Sequence, residues 1–330
     1  TITEFTKVDL TGGQEIEGAK MQILDQDGKV VEEWVSKKEP HVVYALEPGE
    51  YVLHEEQVPT EQGYVRAEDV KFVVEETVDV QKVKMEDDHT KVSISKTDIT
   101  DGKEIEGAKL QILDQDGEVV ESWTTGEEHL IEYLPVGTYT LHEEAAVDGY
   151  IVANDVEFTV EETGEIQKVK MEDERAMGQL VIVKTDTDSK AALEGVEFVL
   201  LEKETGEEVG RLKTGKDGKA VSELLPIGTY KNGVFKEPIT YVLKETATLK
   251  GYEKTEEEWE IVFTYQNDKT PVIEVVKEIQ NKKIPETPGT VKPGPKTGDD
   301  TNWFLPLLAL GVSAGMVAGL LYYRKRHKKA

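Results

Sequence analysis

IEGAKMQILDQDGKVVEEW, Ile16 to Trp34, returns as IEGAKLQILDQDGEVVESW, Ile105 to Trp123, in the same frame 89 residues further on. A third, more divergent copy, LEGVEFVLLEKETGEEV, begins at Leu193, nine residues after Lys184, just as Ile105 lies nine after Lys96. Units of about 90 to 105 residues are too long for a solenoid, whose repeats run to about 45. They are the size of one small domain, so the chain reads as beads with separate cores.

Inside each bead the periodicity is that of strands. Short alternating runs such as KLQIL, YTLHE and VEFTV are separated by DG, PVG and DGY turns. Asp27-Gly28 and Asp116-Gly117 are hairpin dipeptides. About seven short strands per unit predict an all-β chain of three tandem antiparallel β-sandwiches, immunoglobulin-like or prealbumin-like. The expected boundaries are 1–88, 89–174 and 175–283. After them come a Pro-rich linker over 284–302, with Pro285, Pro288, Pro293 and Pro295, and a final segment over 303–330.

That final segment holds 21 uncharged residues, Trp303 to Tyr323, about 30 Å as a helix and enough to cross a bilayer. Arg324, Lys325, Arg326, Lys328 and Lys329 follow at once and would stay cytoplasmic. The chain starts at Thr1 without Met or a signal peptide, which reads as the carboxyl-terminal part of a longer exported protein. Composition narrows the function. With 67 acidic against 39 basic residues, the formal charge of −28 repels phosphate backbones, so no nucleic-acid partner is expected. Zero cysteines exclude disulfides, thiolate metal sites and cysteine nucleophiles. Asp114-Gln-Asp116-Gly117 resembles the start of a calcium loop, but its glycine comes two positions early, and a hairpin turn is the reading. His54 and His142 face outward without a partner at metal-ligand spacing, and no metal or cofactor is expected. Trp34 and Trp123 occupy equivalent positions at the core edge.

Alternation along the strands exposes an anomaly. Phe5 and Lys7 share a face in the first unit, Val92, Ile94 and Lys96 in the second, and Leu180, Ile182 and Lys184 in the third. A middle strand reads Tyr51-Leu53-Glu55, Tyr139-Leu141-Glu143 and Tyr241-Leu243-Glu245. The last strand reads Val83-Met85-Asp87, Val169-Met171-Asp173 and Ile279-Asn281. Each unit thus turns one Lys, one Glu and one Asp or Asn toward its core, where an unpaired charge costs several kcal/mol. Two readings fit: a hydrogen-bonded ion pair at the strand ends, or chemistry. In the second, desolvation makes the lysine a neutral amine and the glutamate a neutral acid. The amine attacks the side-chain carbonyl of Asp or Asn while the Glu moves protons, leaving an amide with loss of water or ammonia.

KTD in the first strand, the EGA turn, LPVGTYTLHE followed by DGY, and a closing V-x-M-x-D or QNKK resemble the Cna B-type, or SpaA-like prealbumin-fold, domains of Gram-positive surface adhesins and pilins. The resemblance covers Thr1 to about Ile284. It implies intramolecular isopeptide bonds from Lys7 to Asp87 with Glu55, from Lys96 to Asp173 with Glu143, and from Lys184 to Asn281 with Glu245. The first two units carry Asp where Asn is commoner. The third carries an insertion, KNGVFKEPITY, ahead of the strand bearing Glu245, expected either to displace that strand or to extend a loop.

Gly294-Pro295-Lys296-Thr297-Gly298, an apolar span and a basic end form the three-part layout of a sortase sorting signal. It resembles LPxTG with Gly294 in place of Leu. The resemblance implies sortase as partner, cleavage after Thr297, and transfer to a peptidoglycan amine or a pilin lysine; the other reading is a plain membrane anchor. The expected protein is a surface stalk rather than an enzyme, attached to the cell wall and presenting an upstream region. Two alternatives are domains that bind host matrix protein, and a minor pilin subunit, which the absence of a YPK-like motif disfavours.

Overall fold

The computed structural model describes residues 1–286. The expected sorting motif, the apolar span and most of the Pro-rich linker lie outside these residues. Among the described residues no helix is long and apolar enough to cross a membrane.

The first sandwich has eight strands: β1 (Ile2–Asp9), β2 (Lys20–Leu24), β3 (Val30–Val35), β4 (His41–Tyr44), β5 (Gly49–Gln57), β6 (Tyr64–Val65), β7 (Val70–Val74) and β8 (Val80–His89). The second repeats them as β9 (Lys91–Asp98), β10 (Lys109–Leu113), β11 (Val119–Thr124), β12 (His129–Glu132), β13 (Gly137–Ala145), β14 (Tyr150–Ile151), β15 (Val156–Val160) and β16 (Ile166–Arg175). The third contains β17 (Met177–Asp186), β18 (Glu197–Glu202), β19 (Glu208–Lys213), β20 (Lys219–Val221), β21 (Leu225–Pro226), β22 (Gly228–Lys231), β23 (Val234–Pro238), β24 (Thr240–Ala247), β25 (Glu258–Val262) and β26 (Val272–Asn281).

In the first sandwich the sheets run β4-β1-β8-β6 and β3-β2-β5-β7, and the second repeats both orders. Alternate residues of the facing sheets make each core. Phe5, Met21, Ile23, Leu53 and Met85 fill the first, Ile94, Leu110, Ile112, Leu141 and Met171 the second, and Leu180, Phe198, Leu243 and Ile279 the third. The DG turns close β2–β3 and β10–β11 as expected. Gly28 and Gly117 take the left-handed φ of 77° and 80°, and the Asp114 carboxylate accepts from the backbone N–H of Asp116 and Glu118, a turn cap.

The expectation of a wholly antiparallel sandwich is corrected. The first and last strands run parallel in all three units, with Ile2 opposite Val80, Lys91 opposite Ile166 and Met177 opposite Val272. A hairpin turn fixes the direction of strands adjacent in sequence. Strands at opposite ends of a domain have no such turn, and pattern alone does not orient them.

The insertion of the third unit becomes a separate ribbon, β22–β23. β24 keeps its place: Tyr241 and Leu243 are buried, and the strand pairs with β18 as β5 pairs with β2. The ribbon instead reaches the second sandwich. Gly149 lies under Phe235 and Tyr230, and the Tyr230 hydroxyl donates to the Gly149 carbonyl at 2.8 Å.

The two joints between sandwiches share a plan. At the first, the Tyr133 hydroxyl donates to Asp9 at 2.7 Å, and its ring stacks on His89 with centroids 3.9 Å apart. At the second, Arg175 and the Tyr150 hydroxyl both donate to Asp98, at 2.6 and 2.8 Å, and the guanidinium lies 4.2 Å over the Tyr230 ring. Gly233, at the ribbon tip with φ of +66°, sits so close to the second sandwich that a Cβ would fall 2.1 Å from the Glu104 carbonyl oxygen. Gly233→Val should therefore uncouple the second and third sandwiches, giving them separate alignment tensors in residual dipolar couplings while each stays folded. Gly13→Val, with φ of +65° and nothing within 4 Å, should leave that alignment unchanged.

Candidate functional site

The parallel register of the terminal strands aligns the charged residues. Lys7 stands opposite Met85, Lys96 opposite Met171 and Lys184 opposite Ile279, so Asp87, Asp173 and Asn281 each lie two residues further along the facing strand. Residues two apart share a face, so each lysine meets its partner diagonally across the ladder. The Glu comes from the opposite sheet. Glu55, Glu143 and Glu245 pair across with Met21, Leu110 and Phe198, and the register shifts immediately beside them, leaving Glu56, Glu144 and Thr246 as the extra residue. Such a bulge re-aims a side chain.

All nine residues are buried, none more than 3% exposed. Lys7 Nζ contacts Asp87 Oδ1 and lies 3.0 Å from Glu55 Oε2. Lys96 Nζ contacts Asp173 Oδ1 and lies 2.9 Å from Glu143 Oε2. Lys184 Nζ lies 2.5 Å from Asn281 Oδ1 and 2.8 Å from Glu245 Oε2. Every residue singled out in the three units is thus brought into a cluster of three, and the insertion leaves Glu245 in place.

Burial pushes the Asp87 and Asp173 carboxyls up to about 7; Lys7 and Lys96 pull the other way, and Glu55 and Glu143 push up again. Burial also lowers the Lys184 ammonium, with Glu245 opposing. Asp87 Oδ2, Glu55 Oε1, Asp173 Oδ2 and Glu143 Oε1 find no hydrogen-bond partner among the described residues. In the third sandwich the same gap is filled, because Asn281 Nδ2 donates to Glu245 Oε1 at 2.7 Å. A proton on the aspartate would make the corresponding bond, which adds to the upward push of burial.

Some contributors were not singled out in the sequence. The backbone N–H of Ala67 donates to Glu55 Oε2 at 3.2 Å, and that of Ala153 to Glu143 Oε2 at 2.7 Å, each four residues after the glycine of the GY pair. Backbone donors carry no residue signature. Asp9 and Asp98, two residues beyond Lys7 and Lys96, are buried as well, and accept from Tyr133 and from Tyr150 and Arg175 at the joints. His54 and His142 face outward as expected, each 2.7 Å from a carboxylate, Asp69 and Asp155. Trp34 and Trp123 lie at the core edge and stack on His41 and His129.

Residues 1–89, 90–175 and 178–237 match the SpaA prealbumin-like fold domain, and the chain belongs to that family. No curated protein matches it in sequence. Among solved structures it is similar to the Bacillus anthracis TIE protein, at 27% identity and a TM-score of 0.57 over 86% of this chain, which spans 51% of that structure's length. It is also similar to BcpA, the major pilin subunit of Bacillus cereus, at 15% identity and a TM-score of 0.48, covering 86% of this chain and 99% of the other. Similarity to the Corynebacterium diphtheriae major pilin SpaA covers 86% and 100%, at 15% identity and a TM-score of 0.32.

The raised carboxyl fixes a pH signature. An acid whose folded pKa lies above its unfolded value contributes stability below the unfolded pKa, near 3.9, and loses it as pH rises through about 7. Lys96→Met, which removes the lowering charge, should make the second sandwich melt at falling temperature as pH rises from 4 past 7. Lys96→Met with Asp173→Asn should remove most of that slope, read by calorimetry of both variants.

Proposed function

We propose that this chain is a cell-surface stalk whose three sandwiches are each closed by an isopeptide bond between first and last strands. One observation carries the reading: the same buried Lys–Glu–Asp/Asn cluster recurs three times, always with the Lys and the Asp or Asn on the parallel terminal strands and the Glu on the facing sheet. Nothing in a stable fold requires a buried lysine there, and an apolar core would be at least as stable.

The chemistry follows from the contacts. The Glu carboxylate takes a proton from the lysine Nζ, and the free amine attacks the facing side-chain carbon. In the first two sandwiches the electrophile is the neutral Asp acid, a form that burial makes accessible near neutral pH by raising the carboxyl to about 7. The tetrahedral intermediate collapses as the Glu gives that proton to the departing group and takes the second proton from Nζ, so water leaves from Asp87 and Asp173, ammonia leaves from Asn281, and the Glu ends protonated. Each site turns over once.

The mechanical result depends on where the bond lies. Tension entering along β1 would cross from Lys7 to Asp87, 80 positions apart, and leave through the end of β8, bypassing the chain between. The spans in the other sandwiches are 77 and 97 residues. Loops of this length give about 4.5 kcal/mol on the chain-entropy model. The sequence layout Gly294 to Gly298, apolar span and basic end supports attachment to a Gram-positive cell wall by a sortase acting at Thr297.

The intact mass of the purified chain should fall short of its sequence mass by about 53 Da, two waters of about 18 Da and one ammonia of about 17 Da. Glu55→Ala, Glu143→Ala and Glu245→Ala should each restore the mass lost in its own sandwich. An unshifted wild-type mass would leave only ion pairs. Thr297→Ala should move the protein from the peptidoglycan fraction to the membrane fraction, and unchanged wall attachment would refute the sorting role.

A further inference from the structure

The third sandwich differs from the others in its electrophile, and its surroundings differ to match. An amide has two unlike ends, and only one orientation presents its carbonyl to the amine and its nitrogen to the acid. Asn281 Oδ1 faces Lys184, and Nδ2 donates to Glu245 Oε1 at 2.7 Å. The second amide hydrogen goes to Thr248 Oγ1, also at 2.7 Å. Thr248 stands three residues after Glu245, just past the end of β24. The residues three after Glu55 and Glu143 are Val58 and Ala146, neither of which has a hydroxyl. The one sandwich with an amide is the one with a hydroxyl beside it.

We propose that Thr248 is a positioning residue for the ammonia-releasing cross-link, holding the leaving nitrogen of Asn281 so that Glu245 can protonate it. The inference rests on the isopeptide reading above. In the step, the Lys184 Nζ–Cγ bond forms, the Cγ–Nδ2 bond breaks, and one proton passes from Nζ through Glu245 to Nδ2, which departs as ammonia. Glu245 touches both nitrogens, through Oε2 at 2.8 Å and Oε1 at 2.7 Å. By accepting an N–H, Thr248 fixes the amide plane and leaves the nitrogen lone pair free for the incoming proton. Without it, one buried N–H loses its partner and the amide can rotate away from Glu245. The acid proton of Asp87 or Asp173 can sit on either oxygen, so the side chain needs no such orientation.

The test follows bond formation in newly synthesised full chain by timed mass spectrometry of the cross-linked peptides, with the first and second sandwiches as internal clocks. Thr248→Val should slow closure of the third sandwich at least tenfold relative to those clocks. Thr248→Ser should restore it. Asn281→Asp combined with Thr248→Val should close at the pace of the first two sandwiches, with loss of water. Closure of Thr248→Val at the wild-type pace would overturn the assignment, as would failure of Thr248→Ser to restore it or a double variant as slow as Thr248→Val. If the wild-type third sandwich never loses ammonia, the isopeptide reading of that sandwich fails, which is a different result from a wild-type bond indifferent to Thr248.

Discussion

Everything distinctive about this chain depends on one pairing, the parallel ladder between the first and last strands of each sandwich. It brings together residues about 80 to 100 apart in sequence and sets them two positions out of step on one face. An antiparallel ladder would carry the two ends in opposite directions. A one-residue slip would turn the lysine or its partner to the other face. The core residues on either side enforce the register, since Phe5 and Met85, or Ile94 and Met171, must be buried in the same layer. Packing thus sets the geometry of the cluster, and the charged residues are carried by it.

Low dielectric gives the cluster its character. The same burial that makes three polar groups costly raises the two aspartic acids and lowers the third lysine. Each shift moves a group toward its neutral form, the form in which an amine is nucleophilic and an acid has a leaving group. An exposed cluster of identical composition would be a salt bridge worth little. The bulge beside each Glu and the backbone donors of Ala67 and Ala153 position the third member from the opposite sheet.

The joints give a second view of repetition with substitution. Asp9 with His89 and Tyr133, and Asp98 with Arg175 and Tyr230, are two versions of a carboxylate, a planar nitrogen base and an aromatic ring. The first takes its tyrosine from the body of the following sandwich, and the second takes it from β22, the strand that leads into the insertion. The insertion leaves the third site in place and adds to the grip of the third sandwich on the second, beside the Tyr265 hydroxyl donating to the Tyr150 carbonyl and the Val152 N–H donating to the Asp268 carbonyl.

The sequence by itself determined the number of units, their all-β character, the hairpin turns and the inward direction of nine charged or amide residues. Strand alternation and turn chemistry are local properties that any reader of the chain can count. Only the tertiary structure decided that the terminal strands run parallel, that the insertion folds as a ribbon against a neighbour, and that Thr248 and two backbone N–H groups belong to the sites. These are meetings between segments distant in the chain. They are fixed by which faces must be buried together, a condition satisfied by the whole sandwich and by no single strand.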